Sequence, residues 1–330
     1  MRAVAGRAQD VRVPELPPKG SLFMDPLLVI SEEVRAALQE QRPVVALESS
    51  LIVNGPAYPA NTELGLEIEK AVRDAGAVPA TIGIVDGRFV VGMDAGLVDR
   101  FASSKGIPKV SARDLGPVLA RGGLGATTVA GTVVPAARAG IPVFSTAGIG
   151  GVHRRAQETF DVSADLLQFT RTRIAVVCAG AKSILDLGLT AEYLETAGVP
   201  VLGYGTDRLP AFYVRESDVP VNRVDDLRLA ARTTRLHWEV NGDRTVLLTA
   251  PIDERDALDG AEIEAAIQAA LDEADRAGVR GNAISPFLMR ALTEVTAGRS
   301  AAATRAVLLS TARVAGEFAV AFSAVRDEEV

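Results

Sequence analysis

Hydrophobic and polar positions along the chain predict short strands that alternate with amphipathic helices. Nearly continuous apolar runs bounded by turn residues are typical of buried strands, and they fall at residues 44–47, 142–146, 174–178, 199–203 and 245–248. Apolar residues recur at helical spacing between these runs, at residues 62–75, 128–138, 191–197, 261–277 and 303–322. Two further apolar runs flank Asp86-Gly87, a dipeptide that favours a tight β-hairpin.

This order of elements predicts one α/β domain. Strands that alternate with helices favour a three-layer α/β/α fold around a central, largely parallel or mixed sheet. No linker rich in Pro, Gly or Ser interrupts the chain after residue 24, so we expect a single domain over residues 24–330. Residues 1–23 include Pro14 and Pro17 and have no periodic apolar pattern. They are predicted to be a disordered tail, or an over-long start before a true first residue at Met24.

Composition and charge exclude several classes of function. Lys and Arg number 35 against 42 Asp and Glu, a net charge of −7, which provides no basic surface for nucleic acid and disfavours anionic membranes. A single Cys and two His, His153 and His237, exclude a disulfide framework, a Cys-rich zinc centre and an HExxH site. Any bound metal would therefore be a hard cation held by carboxylates and water. Because the N-terminal stretch lacks the apolar segment of a signal peptide, we expect a cytoplasmic protein.

Lysine is scarce, and this makes each lysine a candidate for chemistry. The basic residues are mostly Arg, and the five lysines are Lys19, Lys70, Lys105, Lys109 and Lys182. A guanidinium stays protonated in proteins, whereas a desolvated amine can lose its proton and act as a nucleophile. Lys182 follows an apolar run within a stretch of Ala and Gly, and this environment suits an imine-forming amine. A lysine that extends from a helix start toward solvent is the alternative.

Polar residues at strand ends indicate a ligand site, because ligands of such sheets gather at the carboxyl ends of the strands. Glu48 directly follows the apolar run 44–47, where burial would favour a general acid; a cap or turn residue is the alternative. The Gly-rich stretch 147–151 lacks the third small residue of a dinucleotide loop, since His153 stands there. Backbone N–H groups in such a loop can bind a phosphate, which favours a phosphosugar over NAD.

Two acidic residues follow this loop. Asp161 and Asp165 are four residues apart, so on a helix they would share one face. One could then hold a metal while the other contacts a sugar hydroxyl; a solvated acidic face is the alternative. Structural roles are predicted for His237 beside Trp238 at a core edge, and for Cys178 as a small buried hydrophobe.

A series of motifs in chain order adds a family resemblance. The motifs are residues 46–49 (ALES), 76–82 (GAVPATI), 109–111 (KVS), 113–115 (RDL), 125–129 (GATTV), 148–154 (GIGGVHR), 161–166 (DVSADL), 177–186 (VCAGAKSILD), 203–207 (GYGTD) and 210–213 (PAFY). They are long, ordered and specific. Together they resemble the pseudouridine-5′-phosphate glycosidase family, also called the indigoidine-synthase-A-like family.

The resemblance implies an α/β/α fold, commonly a homotrimer, with a divalent metal that is usually Mn²⁺. It implies an enzyme that makes or breaks a C-glycosidic bond between C1 of ribose 5-phosphate and a carbon of an aglycone, uracil in the usual case. Lys182 would form an imine with C1 of the ring-opened sugar, and Glu48 would be the acid/base. The other family positions are the metal residue Asp161, the substrate-site residues Lys109, Val129, Ser163, Ala164 and Asp165, and His153 close to the reacting centre.

Departures from the family pattern cluster where the aglycone would bind. Ser50 stands where the family usually has Thr, Asn54 replaces the His of a His-Gly pair, and Ala250 replaces the Asn of an Asn-Pro pair. An Asn that the family associates with uracil recognition is replaced by Thr304. Because a site built to pair a polar edge discriminates strongly through those hydrogen bonds, the missing amide predicts a different acceptor.

Four hypotheses for the function follow. The first is a C-glycosynthase that joins ribose 5-phosphate to an aromatic polyketide in antibiotic biosynthesis, as C-ribosylating members of the family do in the alnumycin pathway. The second is a pseudouridine-5′-phosphate glycosidase with uracil as the aglycone. A Schiff-base phosphosugar aldolase would share Lys182 and the phosphate site, and a non-catalytic sugar-phosphate-binding protein would need no reactive amine.

Overall fold

A computed structural model describes residues 25–280 and 283–326. The predicted tail, residues 1–23, and the alternative start at Met24 lie outside these residues. Eleven strands of the described residues form one sheet and two short strands pair separately. The strands are β1 (Leu28–Ile30), β2 (Val44–Glu48), β3 (Val78–Val85), β4 (Arg88–Val91), β5 (Lys109–Val110), β6 (Leu124–Thr127), β7 (Val143–Ser145), β8 (Val152–His153), β9 (Ala175–Cys178), β10 (Leu185–Asp186), β11 (Val201–Tyr204), β12 (Asn222–Val224) and β13 (Val246–Thr249).

The main sheet is mixed, with a long parallel part. Its order is β1-β4-β3-β2-β7-β9-β13-β11-β12, with β6 paired to β3 and β5 paired to β6. The strands from β3 to β12 in this order run parallel to one another, whereas β4 and β6 run antiparallel to β3. The carboxyl ends of the parallel strands therefore meet at one edge, where ligands of such sheets bind.

Helices cover both faces of this sheet. In the described residues they are α1 (Glu32–Gln39), α2 (Ser50–Val53), α3 (Ala60–Asp74), α4 (Ala95–Ser103), α5 (Leu115–Arg121), α6 (Val129–Arg138), α7 (Ala156–Thr159), α8 (Ala164–Phe169), α9 (Leu187–Thr196), α10 (Leu227–Asn241), α11 (Gly260–Arg276), α12 (Ile284–Val295) and α13 (Arg299–Ala324). α3 and α13 pack together on one face, and α6 with α8 covers the other. The predicted α/β fold is confirmed.

The elements predicted from periodicity are present with shifted ends. The five apolar runs form β2, β7, β9, β11 and β13, and the five periodic stretches form α3, α6, α9, α11 and α13. The hairpin is also present, because β3 and β4 pair antiparallel around Asp86 (φ 48°) and Gly87 (φ 79°). Positive φ at both central residues is what a type I′ turn requires.

The last helix is long and apolar enough, by length and composition, to cross a membrane. Its buried residues, which include Val307, Leu308 and Phe318, are part of the main hydrophobic core. α13 packs against α3, α10 and strands β2, β7 and β9. Its apolarity is therefore that of a core helix.

Candidate active site

The carboxyl edge of the parallel sheet brings the predicted acid and the predicted nucleophile together. Glu48 is the last residue of β2, and Lys182 follows β9, two strands away across the sheet. Thr146 directly follows β7, the strand between them. The Lys182 ammonium is close enough to Glu48 to stabilise the Glu48 carboxylate. The edge therefore holds an acid and an amine within electrostatic reach of each other.

Glu48 is a buried carboxyl with two hydroxyl partners. The residue is 6% exposed; the Thr146 hydroxyl donates to Oε1 at 2.6 Å and the Ser50 hydroxyl donates to Oε2. Burial raises the pKa of Glu48, against the opposing effect of these two hydrogen bonds and of Lys182. A carboxyl with a raised pKa retains its proton to higher pH, which suits the predicted general acid.

The Lys182 backbone is fixed while its side chain is available. Its N–H donates to the carbonyl of Ile149 at 3.1 Å, and its own carbonyl accepts from the N–H of Leu185 at 3.0 Å. The residue is partly buried, and within the described residues its ammonium forms no ion pair. The alternative of a lysine at a helix start is wrong, since the next helix, α9, begins at Leu187.

Lys109 adds a second amine to the same site. It begins β5, which pairs with β6 beside the carboxyl edge. Although the residue is exposed, loss of hydration and repulsion from Lys182 lower the pKa of Lys109, against the attraction of Glu48 and Asp165. The structure thus places Lys109 within electrostatic reach of the acid and of Lys182.

Asp165 connects two backbone segments of the site. It is 7% exposed; its Oδ1 accepts the N–H of Ala130 at 3.0 Å, and its Oδ2 accepts the N–H of Gly150 at 2.8 Å. One carboxylate therefore ties the first turn of α6 to the Gly-rich loop that precedes β8. Both of its oxygens already accept backbone donors, so the role that this geometry supports is positioning of those two segments.

The prediction that Asp161 and Asp165 share a helix face is wrong. Ser163 is the N-cap of α8, and its hydroxyl accepts the N–H of Asp165 at 3.2 Å. Asp161 lies two residues before this cap, in non-helical chain, whereas Asp165 lies in the first turn. Because a hydroxyl residue directly before Ala164 favours a helix start there, the capping residue limits the helix to the part after Asp161.

The remaining predicted positions lie at the starts of α6 and α8, the helices that Asp165 connects. Val129 is the first residue of α6 and is buried, with the Thr128 hydroxyl capping the helix. The Ser163 N–H donates to the carbonyl of Gly151 at 3.0 Å, which holds the start of α8 against the Gly-rich loop. Ala164 is exposed. The N-terminus of α6, which lies near Lys109, provides a positive field for a phosphate.

Asp161 and His153 lie close together, and His153 is within electrostatic reach of Lys182. Nδ1 of His153 lies 3.9 Å from Oδ2 of Asp161, and this carboxylate oxygen is buried without a hydrogen-bond partner. Burial lowers the pKa of His153, against the attraction of Asp161. An unpartnered buried carboxylate oxygen fits a hard divalent cation that completes its coordination with water. The described residues contain no group of three or more His, Cys, Asp or Glu that could hold a metal, so Mn²⁺ at Asp161 stays a prediction.

Two contributors to this site were not predicted. Thr146 holds the Glu48 carboxyl, and the rule that ligand residues follow parallel strands would have found it, because it follows β7 directly. Arg154 donates to the carbonyl of Ser183, next to Lys182. Its position in the motif 148–154 was visible in the sequence, but its contact joins residues 29 apart, so no local pattern indicated it.

We expect Asp165→Asn to lower the free energy of unfolding by about 2–3 kcal/mol, because an amide offers one acceptor where two buried N–H groups need one each. Urea unfolding of the ligand-free protein measures this change. Asp259→Asn is the matched control: Asp259 is an exposed helix cap that accepts one N–H, from Glu262, and its loss should cost less than about 1 kcal/mol. Equal losses in the two variants would contradict the positioning role of Asp165.

These features define an α/β enzyme with a buried carboxylic acid and a lysine at the carboxyl edge of its sheet. The chain belongs to the family described as Indigoidine synthase A like protein, whose profile matches residues 33–321. A pseudouridine-5′-phosphate glycosidase from Dickeya dadantii is 52% identical over 300 residues, which cover 91% of this chain and 95% of that protein. The predicted family is therefore confirmed.

Two solved structures have the same fold. The crystal structure of the prealnumycin C-glycosynthase AlnA in complex with ribulose 5-phosphate is 63% identical with a TM-score of 0.88, and the match covers 92% of this chain and 100% of that one. The structure of an indigoidine synthase A-like protein from Thermotoga maritima is 32% identical with a TM-score of 0.82, and the match covers 90% of this chain and 97% of that one.

Proposed function

We propose that the chain is a C-glycosynthase that joins ribose 5-phosphate to an aromatic acceptor other than uracil, through an imine on Lys182. The observation that carries this proposal is the hydrogen bonding of Thr304, the residue at the family position associated with uracil recognition. Its hydroxyl donates to the carbonyl of Ser300 at 2.8 Å and lies 3.2 Å from the hydroxyl of Tyr213. This position offers no amide to a uracil edge, and its hydroxyl already has partners.

Thr304 lies against a largely buried cluster of Phe212, Tyr213 and Met289, the aromatic cluster. Tyr213 is 1% exposed, packs edge-on against Phe212 with ring centroids 4.7 Å apart, and has its hydroxyl 4.0 Å from the sulfur of Met289. The aromatic cluster offers no amide or carboxylate to pair with a base edge at Thr304, which favours an aromatic polyketide over uracil.

This aromatic cluster adjoins the Lys182 loop, residues 179–184 between β9 and β10. The N–H of Phe212 donates to the carbonyl of Ala179 at 2.9 Å, three residues before Lys182. The hydroxyl of Ser183 donates to the carbonyl of Ala211 at 2.5 Å. An acceptor that reaches Thr304 would therefore lie beside the loop that carries the proposed nucleophile.

Overall sequence similarity also favours a C-glycosynthase over a pseudouridine-5′-phosphate glycosidase. The prealnumycin C-glycosynthase shares 63% of its residues with this chain over the matched region, against 52% for the Dickeya dadantii pseudouridine-5′-phosphate glycosidase. The ribulose 5-phosphate in that C-glycosynthase structure supports a phosphopentose as the sugar substrate here.

A lysine suits the chemistry of a C–C glycosidic bond. Such a bond has no leaving oxygen, so hydrolysis by two carboxylates would not apply to it. Condensation of the Lys182 amine with the C1 aldehyde releases water and leaves an electrophilic carbon. An electron-rich carbon of the acceptor attacks C1 and loses its proton, and ring closure through the sugar hydroxyl releases the lysine. Glu48 would donate or accept the proton at the acceptor carbon or the ring oxygen.

The remaining parts of the proposal rest on the family resemblance. Asp161 would hold Mn²⁺ or another hard divalent cation, which supplies charge neutralisation near the phosphate when bound. Lys109, Val129 and the start of α8 would bind the ribose phosphate. A homotrimer, a cytoplasmic location and a role in antibiotic biosynthesis belong to the same proposal.

A pseudouridine-5′-phosphate glycosidase is the second candidate. It is favoured by the 52% identity with the glycosidase of Dickeya dadantii and by the presence of the acid, the lysine and the sugar-site residues in one place. An acceptor assay separates the two candidates. The protein with Mn²⁺ would be incubated with uracil and ribose 5-phosphate, and separately with pseudouridine 5′-phosphate.

We expect turnover well below about 1 s⁻¹, a rate ordinary for enzymes, in both incubations. Turnover at or above that rate would contradict the proposed acceptor. The Thr304→Asn variant restores the amide and should raise cleavage of pseudouridine 5′-phosphate about tenfold. Thr293→Asn is the matched control, because Thr293 is also a half-buried helical threonine bonded to a carbonyl four residues earlier. An equal effect of the two substitutions would show that the residue at position 304 does not determine the choice of acceptor.

A further inference from the structure

Arg154 joins three parts of the molecule that surround the reacting centre. It directly follows His153 at the end of β8. Its Nη2 donates to the carbonyl of Ser183 at 3.3 Å. Nη1 and Nη2 also donate to the two carboxylate oxygens of Glu264 on α11, at 2.5 and 2.7 Å. One guanidinium thus links the His153 strand, the Lys182 loop and an outer helix.

The contact with Ser183 differs from the other bonds that hold the Lys182 loop. The N–H of Lys182 donates to Ile149, and the hydroxyl of Ser183 donates to Ala211; both of these partners are buried. Arg154 instead approaches from outside, and its partner Glu264 has a side chain that is 58% exposed. A shift of α11 would therefore reach the Lys182 loop through Arg154.

We infer that Arg154 is a positioning residue, which transmits the position of α11 to the nucleophile Lys182. α11 packs against α12, the helix that carries Met289 beside Tyr213. The aromatic cluster and the Lys182 loop are thereby fixed to each other through α11 and α12 as well as through the core. This inference rests on the proposed function, since it takes Lys182 as the imine-forming amine.

The next residue provides a matched control. Arg155 also pairs with α11, through Asp275 and Asp272. Within the described residues it forms no hydrogen bond to the Lys182 loop. Arg154 and Arg155 therefore share charge, chain position and partner helix, and they differ in the contact with Ser183. A comparison of the two separates a role at the nucleophile from general attachment of the helix.

The experiment measures imine formation at Lys182. Wild type, Arg154→Gln, Glu264→Gln, Arg155→Gln and Asp272→Asn would be incubated with saturating ribose 5-phosphate and borohydride, and the rate of adduct formation would be followed by mass spectrometry. We expect the first two variants to form the adduct about tenfold more slowly, because small misplacements of reacting groups cost this much or more. The other two should stay within about twofold of wild type.

Several outcomes would overturn the inference. One is an equal loss of rate in the Arg154 and Arg155 variants. Another is a loss of rate that is explained entirely by weaker binding of ribose 5-phosphate, measured as its Kd. Glu264→Gln changes an exposed partner of Arg154, so this variant should fold even if Arg154→Gln does not. A wild-type rate of adduct formation in Glu264→Gln would also overturn the inference. Absence of any adduct in the wild type would instead contradict the proposed function.

Discussion

Lys182→Arg is expected to abolish C-glycosidic turnover, with a loss on the order of 10⁴-fold or more, as for other covalent nucleophiles. Arg preserves the positive charge and most of the length of the side chain, but a guanidinium does not deprotonate and cannot condense with an aldehyde. The loss should appear in kcat with little change in the free energy of unfolding, because Lys182 forms no ion pair within the described residues. Steady-state kinetics and urea unfolding measure the two quantities.

Lys70→Arg is the control for this substitution. Lys70 lies on α3, and its exposed ammonium pairs with Asp74 at 2.5 Å. Arg preserves this ion pair, so activity should stay within twofold of wild type. Retention of more than about a hundredth of wild-type kcat by Lys182→Arg would contradict a covalent role for Lys182.

Glu48→Gln is expected to lower kcat by about 10²- to 10⁴-fold, the usual contribution of a positioned acid or base. An amide preserves the shape of the carboxyl group; its oxygen can accept from one of the two hydroxyls, Thr146 or Ser50, and its NH₂ can donate to the other. It cannot deliver a proton. Where Glu48 acts as the acid, the rate of the wild type should fall as pH rises through its raised pKa, because the protonated carboxyl is then the active form. The variant should lack this fall.

The same substitution should make the protein more stable at neutral pH. Burial raises the pKa of Glu48 above its ordinary value of 4.5, so the folded state holds this proton more tightly than the unfolded chain does. Wild type therefore loses stability as pH rises from 4.5 through the raised pKa. Gln does not titrate. The Tm of Glu48→Gln minus that of wild type should increase across this window and become constant above it.

Glu69→Gln separates the catalytic effect from the effect on stability. Glu69 lies on α3, where burial also raises its pKa and the Thr81 hydroxyl donates to its carboxyl. Its removal should change stability with pH in the same direction as Glu48→Gln does, without a loss of kcat. A loss of kcat in Glu69→Gln equal to that in Glu48→Gln would show that buried charge, and not proton transfer, explains the result.

Much of the fold and of the candidate site could be predicted from the sequence, because the strands and the polar residues that follow them depend on local patterns. Continuous apolar runs identified the parallel strands, and polar residues that follow such strands identified Glu48 and Lys182. The four-residue spacing would place Asp161 and Asp165 on one face only within a helix, and the capping hydroxyl of Ser163 between them starts the helix after Asp161. A capping residue determines where a helix begins more strongly than the spacing of two charges does, since the cap satisfies a backbone N–H at that point.

Other features depend on contacts between residues distant in sequence. Asp165 accepts N–H groups from Ala130 and Gly150, and the carbonyl of Ser183 accepts from Arg154. A carboxylate and a guanidinium are compatible with many partners, so the sequence alone could not distinguish a substrate contact from a contact with the backbone. The geometry made this distinction once the sheet had brought the loops together.

The central claim, an imine between Lys182 and ribose 5-phosphate, is tested most directly by peptide mapping of the wild-type protein after borohydride reduction with that sugar. We expect one covalent adduct of ribose 5-phosphate, located on the peptide that contains Lys182 and dependent on borohydride. An adduct on another lysine such as Lys109, or the absence of any adduct while C-glycosidic turnover continues, would contradict it.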